Sequence, residues 1–62
     1  MPNVYPGQRY QFPAWSDIWM RGERYGTVES VGTKVVVLRG DRSGKRVKVH
    51  VVMVLDDMEL VA

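Results

Sequence analysis

The chain contains no cysteine, which removes disulfide staples and thiolate metal sites at once. Its one histidine, His50, has no His, Cys or close carboxylate within hairpin reach in sequence. A lone imidazole builds no metal site, so His50 reads as a surface strand residue. Long apolar runs are also missing. The longest is Val51 to Leu55, far short of the roughly 20 residues that span a bilayer. The opening MPNVYPGQ has neither a charged n-region nor an apolar h-region. These absences lead to the expectation of a soluble, cytoplasmic protein without membrane contact. Asp56, Asp57 and Glu59 match no calcium-loop spacing, so neither metal nor cofactor is expected. Ser16, Ser30 and Ser43 stand in loop or strand settings with no evident base, and no catalytic residue is assigned.

What is present fits one small domain. A chain of 62 residues buries only about 60% of the surface its unfolded form exposes, so tight packing or self-association must stand in for disulfides. A homo-oligomer is therefore weighed from the start. The net charge is +2, too small to name a partner, but its placement is uneven. Residues 34 to 48 hold Lys34, Arg39, Arg42, Lys45, Arg46 and Lys48 against the one acid Asp41, whereas residues 51 to 62 carry only Asp56, Asp57 and Glu59.

Residues 1 to 8, with Pro2, Pro6 and Gly7 around Tyr5, read as an extended arm, followed by one domain over residues 9 to 62. Tyr10 and Phe12 alternate with polar residues in a first strand, Arg9 to Phe12, that Pro13 stops. AWSDIWMRG, residues 14 to 22, carries two tryptophans four apart and reads as a helical turn or a loop with anchors. A second strand follows from Arg24 to Val31, with Gly26 as a bulge or close-approach point. The third runs from Lys34 to Arg39. GDRSG, residues 40 to 44, joins two valine runs as a hairpin turn. The fourth strand extends from Lys45 to about Val52. A single 3₁₀ turn over Leu55 to Met58 then leads into a short last strand, Glu59 to Val61.

The strand faces carry the functional reading. In the fourth strand Val47, Val49 and Val51 alternate with Arg46, Lys48 and His50, so one face is core and the other charged. The third strand is apolar on both sides: Val35 and Val37 on one, Val36 and Leu38 on the other. One set needs cover, from the arm, the tryptophan loop or a second subunit. Val35, Val37, Val52 and Val54 are the candidate interface. Arg39, Arg42, Lys45, Arg46 and Lys48 are candidate phosphate contacts on a projecting ribbon, to be weighed against a solvated face that merely guards the hairpin from edge pairing. Trp15 and Trp19 are candidate stacking platforms for bases, set against the ordinary use of aromatics as core.

The order of long first loop, two tight hairpins, helical turn and brief closing strand resembles the SH3-like barrels. At GERYGTVESV, residues 22 to 31, the chain looks like the opening of their KOW-type members. The resemblance implies an all-β, five-stranded barrel. The peptide groove of true SH3 domains implies an acidic first loop, where this chain has only Asp17 and Glu23. A second resemblance is to plasmid-type dihydrofolate reductases, small barrels that assemble around a pore. It rests on Val47-Lys48-Val49-His50 and the closing MELV, and implies that Lys48, Val49 and His50 line such a pore. Lys48 and His50 replace that family's glutamine and tyrosine, and YQFPAW lacks its paired lysines. The reading that results is a non-catalytic SH3-like module expected to bind nucleic acid, DNA or RNA, through the basic hairpin. A homo-oligomeric or partner-docking module stands second and an oligomeric reductase third.

Overall fold

The computed structural model describes residues 4–61. Five strands, β1 (Arg9–Gln11), β2 (Tyr25–Val31), β3 (Val35–Gly40), β4 (Arg46–His50) and β5 (Glu59–Leu60), form one antiparallel sheet in the order β4-β3-β2-β1-β5. The sheet is not closed: β4 and β5 are its two edges, so the all-β expectation holds while a sealed barrel does not. Among the described residues two short helices complete the fold, α1 (Asp17–Met20) in the long connection between β1 and β2, and α2 (Val51–Asp57) between β4 and β5.

Alternation decides the core. Val36 and Leu38 of β3 are completely buried and pack with Phe12, Val28, Val49, Val54 and Met58. The opposite side of β3 is open, with Val35 exposed and Val37 half-buried. Gly26 lies directly beneath the Phe12 ring, where a Cβ would stand 2.8 Å from Phe12 Cζ. It is thus a close-approach point that any side chain would overpack. The register irregularity falls two residues later, between Val28 and Ser30, and leaves Glu29 as the extra residue opposite β3.

Of the arm expected over residues 1 to 8, residues 1 to 3 lie outside the described residues. The rest folds onto the sheet: Val4 is buried, and Gly7 N–H donates to Val28 O at 2.8 Å while Val28 N–H donates to Gln8 O at 2.8 Å.

The largest departure from the sequence reading lies after β4. Instead of a strand to Val52 and a 3₁₀ turn at Leu55 to Met58, the chain turns helical at Val51 and stays so to Asp57. Val51, Val54 and Met58 recur at i, i+3 and i+7, and Val54 and Met58 are buried. Valine's strand preference yields to this packing. The switch also moves Val54 out of the candidate interface: at 1 % exposure it is core, while Val52 remains on the surface.

Candidate functional site

The hairpin β3–β4 is built around an acid from elsewhere in the chain. Glu23, at 8 % exposure, follows α1 and points its carboxylate beneath the turn. Its oxygens accept from Arg42 N–H at 2.6 Å, Ser43 N–H at 3.2 Å and Ser43 Oγ–H at 2.6 Å. Gly40 makes room for it, because a Cβ there would run into the Glu23 carboxylate. The Ser43 hydroxyl is the largest influence holding the Glu23 carboxyl below the usual glutamate range; burial opposes it, and the two amides and the Arg42 charge assist. Nothing in the local sequence marks this acid, since its partners lie about twenty residues away.

On the outer face Arg39 and Arg46 stand directly opposite one another across β3 and β4, an arrangement of like charges that destabilises a sheet by itself. Glu29 resolves it. Its two oxygens accept from Arg39 Nε at 2.8 Å and Arg46 Nε at 2.7 Å, and the Arg46 hydrogen bond is the foremost cause of a lowered Glu29 pKa. Two of the five candidate phosphate contacts are thus already shared with a carboxylate. Arg42 reaches back toward the Gly22 carbonyl at 3.5 Å. Asp41, the acid of the turn, is taken by Arg9. Lys45 and Lys48 make no ion pair among the described residues and are exposed.

The two tryptophans part company. Trp19 packs against the core and lies under the Arg24 guanidinium, 4.2 Å from the ring centre. Trp15 is 64 % exposed. The segment that carries Trp15 is nevertheless fixed: next to it, buried Ser16 donates to Pro13 O at 2.7 Å and caps α1 by accepting from Trp19 N–H at 3.2 Å.

Trp15 and the free lysines meet on one groove of about 730 Å³, a volume within the range of ligand sites. One wall is the α1 segment, with Trp15, Ile18 and Arg21; the other is β4 and its approach, with Lys45, Val47 and Lys48. Four cations, Arg21, Lys45, Arg46 and Lys48, line it against the two acids Asp17 and Glu23. Because β4 is an edge strand, half its backbone groups have no ladder partner. Lys45, and Val51 beyond the strand end, bond toward β3, so by antiparallel alternation Arg46, Lys48 and His50 turn theirs to the open edge.

The remaining expected sites scatter. Val35 and Val52 are exposed apolar residues, as is Leu55. Lys48 and His50 face outward but Val49 is buried, so these three share no surface on which a pore could be lined. His50 instead caps α2, its Nδ1 accepting from Val52 N–H at 3.1 Å. Among the described residues no group of three or more His, Cys, Asp or Glu converges as for a metal ion, and no helix is long and apolar enough to cross a membrane.

Fold and site together define a small antiparallel β-sheet domain with a basic, tryptophan-bearing groove along one sheet edge. No protein-family model matches the chain, and no curated protein or solved structure was found to be similar to it.

Proposed function

We propose that this chain is a small SH3-like binding module that holds nucleic acid in the groove between α1 and β4, without catalysis. The SH3-like assignment draws support from the order β4-β3-β2-β1-β5 with a long β1–β2 connection and a helical turn before the closing strand. One observation carries the function: an exposed indole and two unpaired lysines, from segments about thirty residues apart, line one groove. Lysines supply sequence-independent attraction for phosphates, and the indole supplies a flat face for a base. The ligand contacts shift accordingly from the whole ribbon to Lys45 and Lys48, with Arg21 and Arg46 at the groove and Arg39 held on the outer face by Glu29.

The test is retention of a labelled oligonucleotide at about 50 mM salt, where phosphate contacts are strong. The double variant Lys45→Ala, Lys48→Ala is expected to bind at least about tenfold more weakly, since each released counterion is worth close to that much at low salt. Absence of any retention by the wild-type chain, with strand or duplex, would end the proposal.

A further inference from the structure

We infer that the groove selects single strands: an unpaired base stacks on the Trp15 indole while the neighbouring phosphates meet Lys45 and Lys48. This inference rests on the nucleic-acid reading above and narrows its ligand class.

The aromatic side chains of the described residues are otherwise spoken for or lie elsewhere. Phe12 and Tyr10 are core, Trp19 lies under Arg24, and Tyr25 lies under Arg9, 4.6 Å from its ring centre. Tyr5 is exposed, but on the N-terminal arm and not in the groove. Trp15 alone combines exposure with a place on the charged groove. Its ring sits on a backbone fixed by the Ser16 hydrogen bonds to Pro13 and Trp19. With that backbone already ordered, less entropy is spent on presenting the ring to a base. In a duplex the base faces are already stacked on one another and hidden from such a ring. Single-stranded segments can splay a base out onto an aromatic, which is how their recognition generally proceeds.

Charge sets the orientation of the strand across the groove. Glu23 contributes no free acceptor, because its carboxylate is filled by Arg42 and Ser43 donors. Asp17 stays on the α1 wall and repels phosphate there. The phosphates therefore lie on the β4 side, where Lys45 and Lys48 stand and where the unpaired edge N–H of Lys48 adds a donor. The base lies on the α1 side against Trp15.

The experiment compares fluorescence anisotropy of a labelled oligothymidylate of about 12 nucleotides with a duplex of equal length at low salt. The single strand is expected to bind at least about tenfold more tightly, and Trp15→Ala is expected to weaken it about five- to a hundredfold while leaving the duplex unchanged. Trp15→Phe restores part of the affinity. Strand binding quenches intrinsic tryptophan fluorescence in the wild type, and the quench is lost in Trp15→Phe, which keeps Trp19 as its one indole. Because Trp15 is exposed, an unchanged melting temperature certifies each variant as folded. Equal binding of strand and duplex, or a strand preference that survives Trp15→Ala, would overturn this inference and leave the broader reading standing. Failure of both probes to bind removes the two together.

Discussion

A carboxylate at 8 % exposure stays charged only where donors replace its lost water, and Glu23 has three, from Arg42 N–H, Ser43 N–H and the Ser43 hydroxyl. Its folded pKa lies below the ordinary glutamate value of 4.5. A lowered folded pKa means that the unfolded chain takes up the proton first as the solution is acidified. The stabilisation is therefore complete above the ordinary range and is lost as pH falls through the depressed folded value. Glu23→Ala is expected to cost about 1 to 3 kcal/mol at neutral pH, because it leaves the part-buried donors of the turn without their acceptor. Glu23→Gln, which has no proton to take up, is expected to flatten the fall in stability below pH 4.5, the ordinary glutamate value. Urea denaturation across a pH series measures both effects. An acid dependence identical in wild type and Glu23→Gln would show that the turn does not draw on the charged form. The same contact places Lys45 next to the groove, since Lys45 N–H is itself bonded to Ser43 Oγ at 3.1 Å.

Helix α2 illustrates how an element overrides its own composition. Three of its seven residues are valine, and β-branched side chains are modest helix formers. Burial of Val54 and Met58 one turn apart compensates, and His50 closes the N-terminal end by accepting from Val52 N–H. His50→Ala is expected to lower stability by about 0.5 to 2 kcal/mol, the usual range for removing a cap, with His50→Asp restoring most of it. Thermal unfolding followed by circular dichroism provides the measurement, and an unchanged midpoint in His50→Ala would mean that packing alone holds the helix. The strands and the β3–β4 hairpin were legible in the sequence because alternation and the GDRSG turn are local signals. Only the start of α2, Val51 and Val52, was read as strand, and its end as a single 3₁₀ turn, because five consecutive hydrophobic residues, Val51 to Leu55, fit either period and valine tilted the choice. The spacing of Val51, Val54 and Met58 held the correction. For the site, the identities of Lys45, Lys48 and Trp15 were readable, but their meeting was not, because the β1–β2 connection is tied to the distant β3–β4 turn through Glu23. The roles of Glu29 and Glu23 were hidden for the same reason. Each acts on cations or donors roughly ten to twenty residues away in sequence.

At the scale of the whole molecule, the number of cations counts for less than how many remain unpaired. The net charge is only +2, and Glu29 and Asp41 together occupy Arg39, Arg46 and Arg9. Salt dependence reads this directly, since the slope of log affinity against log salt is about −0.7 per phosphate neutralised on a single strand. With about two contacts, from Lys45 and Lys48, the slope is about −1.4, which is roughly a sevenfold loss between about 50 and 200 mM salt. Arg46 also lines the groove but is held by Glu29. Glu29→Gln removes the charge that holds it, so the variant is expected to bind oligothymidylate more tightly at low salt, by about tenfold. Its slope should steepen toward about −2 as Arg46 joins the contacts. The variant also leaves Arg39 and Arg46 facing each other without a shared anion, so its stability should fall as its affinity rises. That opposite movement separates a binding effect from general damage, because damage would lower both. An affinity and slope unchanged by Glu29→Gln would take Arg46 off the path of the strand and confine phosphate recognition to the two lysines. A loss of affinity in a folded Glu29→Gln chain would instead argue that the cations of this groove do not meet phosphate at all.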